Sequence, residues 1–104
     1  MKLYISGKIT GDKNYRKKFA AAEKHLINAG YEVVNPAKLC GADTDWNKAM
    51  RICIKAMMDC DGVALLGDWK NSTGARTEHD LGLDVGMQAV PIWYWLGRAS
   101  ELRG

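Results

Sequence analysis

The segment from Asp61 to Gly86 constrains the fold more than any other part of the chain. It begins with an apolar run, Val63 to Leu66, whose length is typical of a buried strand. Turn-forming residues follow from Gly67 to Gly74, and a helix-like stretch then carries a carboxylate, Glu78, in its first turns. A strand that ends in a loop, with a charged group on the next helix, is the arrangement by which open α/β sheets build ligand sites.

The remaining elements alternate in the same way. Amphipathic spacing, N-capping residues and glycine stops predict three helices between four short apolar strands. The predicted strands are 2–6, 31–34, 62–66 and 88–94. The predicted helices begin near Asp12 or Asn14, at Trp46 and near Gly74, and they end before Gly30, at Asp59 and at Met87, respectively. A short helical turn is expected in the tail, Trp95 to Gly104. The order βαβαβαβ predicts one α/β domain over residues 1–104, a Rossmann-like or flavodoxin-like three-layer sandwich. Its parallel sheet has four to five strands in an order of about 2-1-3-4.

In that strand order, the loops 6–11 and 67–74 face each other across one crevice at the carboxyl ends of strands 1 and 3. The spacing of Ala75, Glu78, Leu81 and Val85 places the glutamate on the stripe that faces the sheet. A carboxylate there is costly unless it is paired or used. Two interpretations remain open: a nucleophile that attacks an anomeric carbon, or a partly solvated glutamate bonded to backbone donors.

Other polar residues near this crevice also have two interpretations each. Ser72 either caps the following helix or donates to an anion at that helix N-terminus. Lys8, Lys13 and Arg16 either hold a phosphate or form a solvated basic helix face.

Three aromatic residues are candidates for stacking on a base. They are Tyr4, Trp46 and Trp69. Tyr4 is equally suited to the core, and the spacing of the second helix favours Trp46 as its core anchor.

Several classes of function are disfavoured. A net charge of +3 without a dense basic stripe argues against a nucleic-acid polymer as partner. Phosphate-loop, dinucleotide-binding and zinc motifs are absent, so we expect no metal and no cofactor. No apolar run approaches the roughly 20 residues that span a membrane. Three scattered cysteines, expected to be buried, indicate a reducing cytoplasm.

Three stretches resemble the nucleoside 2-deoxyribosyltransferase superfamily. They are YISGKITG at 4–11, followed by Arg16; DGVALL at 61–66; and WKNSTGARTE at 69–78. The chain is most similar to a small branch frequent in bacteria and their phages, and it also resembles deoxynucleoside 5′-monophosphate N-glycosidases.

The resemblance implies cleavage or transfer at the N-glycosidic bond of a 2′-deoxyribonucleoside or its 5′-monophosphate. It implies that Glu78 is the nucleophile and that Ser72 lies at the phosphate. Together with the residues above, it predicts a substrate-binding set comprising Tyr4, Ser6, Gly7, Lys8, Ile9, Arg16, Trp69, Ser72 and Gly74. Members commonly form dimers or larger assemblies.

One position departs from the family pattern. Relatives carry an aspartate on the second helix that assists the departing base, and this position is Cys53 here. Its loss favours an alternative function, a module that binds or senses a nucleotide without cleaving it. A third interpretation is an interaction domain, because residues 93–96 are densely apolar. We prefer to assign that segment to a homodimer contact.

Overall fold

The computed structural model describes residues 1–103. Over this range, strands and α-helices alternate, and two short 3₁₀ turns lie at Pro36–Lys38 and Trp69–Asn71. The elements are β1 (Lys2–Ser6), α1 (Tyr15–Asn28), β2 (Glu32–Val34), α2 (Trp46–Met58), β3 (Gly62–Leu65), α3 (Thr73–Asp84), β4 (Gln88–Pro91) and α4 (Ile92–Arg103).

The four strands of this range form one parallel sheet in the order β2-β1-β3-β4. β1 is central, with Tyr4 beside Val34 of β2 on one side and Val63 of β3 on the other. The predicted α/β class, the parallel sheet and the strand order are therefore confirmed. The strand order reverses between β1 and β3, so the loops that follow these strands flank a crevice.

Two apolar cores lie on opposite faces of the sheet. On one face, Leu3 and Ile5 of β1 pack with Phe19 of α1 and Trp95 of α4. On the other face, Tyr4 packs with Cys53 and Met57 of α2, and Leu81 of α3 packs against the same cluster. Alternate residues of β1 thus serve opposite faces, as the pleat of a strand requires. The result is the predicted sandwich of three layers.

Local signals explain where the helices begin and end. Asp45 caps α2 by accepting a hydrogen bond from the Lys48 amide, and Ser72 caps α3 by accepting one from the Ala75 amide. Gly30 follows α1 with a φ of +99°, in the left-handed conformation that stops a helix. Gly86 has a φ of +84° and stops α3 in the same way, which is why this helix ends at Asp84 rather than at the predicted Met87.

The C-terminal segment differs most from its prediction. β4 ends at Pro91, and the aromatic residues expected to continue it begin α4 instead. Trp95 is fully buried against the sheet, and its indole Nε1–H donates to the Val63 carbonyl at 3.0 Å. Trp93 is 70% exposed. This helix is longer than the short turn predicted for the tail, of which Gly104 lies outside the described residues. No helix within residues 1–103 combines the length and apolarity needed to cross a membrane.

Candidate active site

Glu78 lies one and a half turns into α3 and is only 5% exposed. The helix begins at the Ser72 cap, directly after the loop that follows β3. Ala75 and Gly82 are buried on the same helix face. The predicted stripe holds from Ala75 to Leu81, but Val85 at its end is 53% exposed. The structure thus places the carboxylate against the sheet, as the spacing predicts.

Two hydroxyl groups from β1 hold the carboxylate. The Tyr4 hydroxyl donates to Glu78 Oε2 at 2.5 Å, and the Ser6 hydroxyl donates to Oε1 at 2.8 Å. Both donors are fully buried and stand two residues apart on the same face of the strand. Each carboxylate oxygen therefore has a fixed neutral donor, and the glutamate is bonded to side chains rather than to the backbone donors considered above.

Burial changes the acidity of this cluster. Burial raises the pKa of Glu78 from 4.5 to about 7, against the hydrogen bonds from Tyr4 and Ser6, which lower it. Burial and the neighbouring Glu78 also raise the pKa of Tyr4 well above its ordinary value, so the phenol stays protonated and remains a donor. Near neutral pH the glutamate exchanges between its ionised and neutral forms, a property common at catalytic sites.

The carboxylate lines a cleft of about 580 Å³ at the carboxyl end of β1. The cleft is bounded by the loop after β1, the segment after β2, one face of α2 and the first turns of α3. Its volume lies within the roughly 300–1,000 Å³ typical of small-molecule sites. A smaller cavity of about 320 Å³ adjoins it at the α3 N-terminus and shares Thr10, Trp46, Ser72 and Gly74 with it.

Most predicted site residues meet at this cleft. Its lining includes Tyr4, Gly7, Ile9, Cys53, Ser72, Gly74 and Glu78, and Ser6 reaches it through the Glu78 carboxylate. A side chain at Gly7 would lie 2.9 Å from the Leu66 side chain. The β1 loop can approach the β3 loop this closely because Gly7 has no side chain. The two glycine-containing loops face each other as predicted.

Three predicted residues lie outside the cleft lining. Lys8 donates its backbone N–H to Asp68 Oδ1 at 3.0 Å. The Arg16 guanidinium donates to the Ala37 carbonyl at 3.0 Å. Trp69 packs on His79, with 4.3 Å between the ring centroids. Each of the three residues thus has a contact within the protein, and its participation in binding stays a prediction.

Cys53 lies beside Tyr4, at the position where the family resemblance implies an aspartate. It is 7% exposed, lines the cleft and packs with Tyr4 in the same core cluster. Burial is the main cause that raises the pKa of its thiol to about 11. The group next to Tyr4 is therefore a neutral thiol at physiological pH and not a carboxylate.

The structure places Trp46 at the cleft, where it is a stacking candidate, and gives Lys18 a role that the sequence patterns did not indicate. The expectation that Trp46 anchors α2 in the core is wrong: it is 45% exposed and lines both cavities. It is the first residue of α2, whose buried residues Cys53 and Met57 lie further along the helix. The Lys18 ammonium pairs with Asp12 at 2.5 Å and with Asp68, and donates to the Lys8 carbonyl. It ties the β1 loop to the β3 loop. A basic residue one turn into a helix gave no signal for this contact.

Comparison with known proteins gives a family but no activity. No curated protein and no solved structure matches the chain. Among residues 1–103, no group of three or more histidine, cysteine or acidic side chains is arranged to hold a metal ion. Residues 1–91, which include every strand and the whole cleft, match the family described as "Domain of unknown function (DUF4406)". The chain therefore belongs to the DUF4406 family.

Proposed function

We propose that the protein cleaves or transfers the N-glycosidic bond of a 2′-deoxyribonucleoside or its 5′-monophosphate, with Glu78 as the nucleophile. The observation that carries this proposal is the buried Glu78 carboxylate at the cleft, held by one hydroxyl on each oxygen. An oriented carboxylate with little water around it suits attack on an anomeric carbon, whose transition state is positively charged.

The reaction would proceed in two steps. A Glu78 oxygen attacks C1′ as the bond to the base breaks, and the base leaves with a proton from a donor. Water or a second base then attacks C1′ and releases the carboxylate. Tyr4 and Ser6 keep the carboxylate aimed during both steps, because their hydroxyls leave each oxygen a free lone pair.

The cleft offers places for the rest of a nucleotide. Ser72 and the first residues of α3 line the smaller cavity, where the helix dipole favours a 5′-phosphate. Lys13 lines the main cleft and adds positive charge. The exposed ring of Trp46 borders both cavities and can stack on the base. No separate cofactor is required for this chemistry.

The test is release of free base. The protein is incubated with a panel of deoxynucleosides and their 5′-monophosphates, and free base is measured by chromatography. Glu78→Gln keeps the side-chain shape but removes the nucleophile, and it should abolish release. Glu32→Gln, an exposed change on β2, is the matched control and should match wild type. No release by wild type, or equal release by Glu78→Gln, would contradict the proposal.

A second candidate function is a module that binds a nucleotide without cleaving it. Cys53 favours it, because a thiol with a pKa of about 11 is a poor proton donor to a departing base. Calorimetry with deoxynucleotides that shows binding without base release would support this function. Failure to bind any nucleotide would exclude both functions.

We also propose that the protein works in the cytoplasm as a homodimer. The aromatic start of α4 supports the dimer, because Trp93 is 70% and Tyr94 is 38% exposed. Three unpaired cysteines support a reducing compartment.

A further inference from the structure

Two of the three cysteines lie together in the cleft wall. Cys40 follows the 3₁₀ turn after β2, and Cys53 lies in the middle of α2. Both line the cleft, and Cys40 is one of the neighbouring groups that raise the pKa of the Cys53 thiol, so the two thiols lie close to each other. Cys60 is separate, because it lies outside the lining and its thiol donates to the Ala56 carbonyl of the preceding helix α2.

Exposure distinguishes the two thiols of the pair. Cys53 is buried, whereas Cys40 is only partly buried, contrary to the expectation for all three cysteines. A reagent in solution therefore meets Cys40 first. Cys53 is within reach of Cys40 but is shielded from direct attack. A partly exposed thiol with a second thiol behind it is the arrangement of a redox-active pair.

We propose that Cys40 and Cys53 form a reversible disulfide by exchange with a small disulfide of the glutathione type. The Cys40 thiolate attacks one sulfur of oxidised glutathione, which forms a mixed disulfide and releases one glutathione thiolate. That thiolate takes the Cys53 proton. The Cys53 sulfur then attacks Cys40 Sγ and releases the second glutathione. Two protein thiols are oxidised, and one glutathione disulfide is reduced to two thiols.

The disulfide would change the cleft at its centre. Cys53 packs with Tyr4 in the same core cluster, and the Tyr4 hydroxyl in turn donates to Glu78. Oxidation removes the Cys53 thiol proton from this chain of contacts and ties the segment after β2 to α2. The oxidation state of the pair and the occupancy of the cleft are therefore coupled, whichever ligand the cleft takes.

The test uses the whole folded protein and oxidised glutathione. Intact mass spectrometry should show the loss of two hydrogen atoms, reversed by dithiothreitol. Tryptic digestion separates the three cysteines, because cleavage after Lys38, Lys48, Arg51 and Lys55 places Cys40 in residues 39–48, Cys53 in 52–55 and Cys60 in a third peptide. The cross-linked product should join the first two peptides.

Three serine variants complete the test. Cys53→Ser should stop at the mixed disulfide and retain one glutathione on Cys40. Cys40→Ser should give no intramolecular disulfide and little adduct, since the buried Cys53 is shielded. Cys60→Ser should behave like wild type. The proposal is overturned if wild type keeps free thiols, if it stops at the glutathione adduct, or if the cross-link contains Cys60.

Discussion

At the scale of single residues, Glu78 is subject to two opposing effects. Burial favours its neutral form, while the hydroxyls of Tyr4 and Ser6 favour the ionised form. Burial is the larger effect, so the pKa rises to about 7 rather than falling below 4.5. Glu78 therefore titrates near neutral pH, where most carboxylates are already ionised.

The first prediction concerns the pH dependence of base release. In the proposed reaction the nucleophile is the ionised Glu78 carboxylate, so release should rise as pH increases through about 7 and level off above it. Rates measured across this range with a saturating deoxynucleotide would check it. A rate that falls through pH 7 would instead make Glu78 a proton donor and would exclude the nucleophilic role.

The titration of Glu78 should also appear in the pH dependence of the free energy of unfolding, measured without any ligand. The folded pKa of Glu78 is raised, so its contribution is present below pH 4.5 and is lost as pH rises through about 7. The shift corresponds to roughly 3 kcal/mol as an upper bound. The unfolding free energy of wild type, measured by urea denaturation relative to Glu78→Gln, should fall by up to that amount. A constant difference would show that Glu78 has an ordinary pKa.

The second prediction introduces, by Cys53→Asp, the carboxylate that the family resemblance implies at this position. Beside Tyr4 and Glu78, an aspartate can protonate the departing base, an effect worth about 100- to 10,000-fold in many enzymes. Base release should therefore increase, and its pH profile should move upward, because a second negative charge further raises the pKa of Glu78. Cys53→Ser is the matched control, since a hydroxyl adds no acid. If the aspartate variant is folded by circular dichroism and no faster, the donor lies elsewhere.

Part of this site could be predicted from the sequence. Spacing along α3 predicted that Glu78 faces the sheet, and the period of a strand places Tyr4 and Ser6 on one face. The sequence could not show which face of the sheet carries Tyr4 and Ser6, because β1 is apolar on both sides and packs against a core on each face. The raised pKa of Glu78 and the Cys40–Cys53 contact depend on packing between distant segments, which no local pattern contains.

At the scale of elements, most predicted boundaries lie where a cap or a glycine marks them, but α3 ends at Asp84, two residues before Gly86, rather than at the predicted Met87. Asp45, Gly30 and Ser72 are such marks, and they lie where their types predict. The strand assigned through Tyr94 failed for a physical reason. An apolar aromatic run suits a buried strand and a core helix equally well, and it contains no glycine to mark the change after Pro91.

The third prediction separates the two roles of Ser72. As the cap of α3 it accepts from the Ala75 amide at 3.1 Å, so Ser72→Ala should cost about 1 kcal/mol of stability. Its hydroxyl proton stays free for a phosphate, so the variant should also lose preference for monophosphates over nucleosides. Asp45→Ala removes the α2 cap at a similar cost and should keep that preference. If Ser72→Ala keeps the preference for monophosphates as Asp45→Ala does, Ser72 acts only as a helix cap.

At the scale of the whole molecule, the alternation of strands and helices determined the topology. Right-handed crossovers leave few ways to arrange four parallel strands, and the observed order β2-β1-β3-β4 is one of them. The alternation of strands and helices does not predict whether the chain forms oligomers. Assembly depends on which apolar side chains the finished fold leaves outside, and α4 leaves Trp93 outside while it buries Trp95.

The fourth prediction therefore concerns the oligomer. Light scattering at micromolar concentration should give twice the chain mass of 11.5 kDa, since two-fold dimers are the commonest assembly and exposed aromatics favour interfaces. Trp93→Asp should yield monomers, because the dimer would bury an unpaired charge. Val85→Asp is the matched control: this residue is 53% exposed after α3, on the opposite face of the sheet, and its change should leave the dimer intact. A monomeric wild type would contradict the proposed dimer contact through α4.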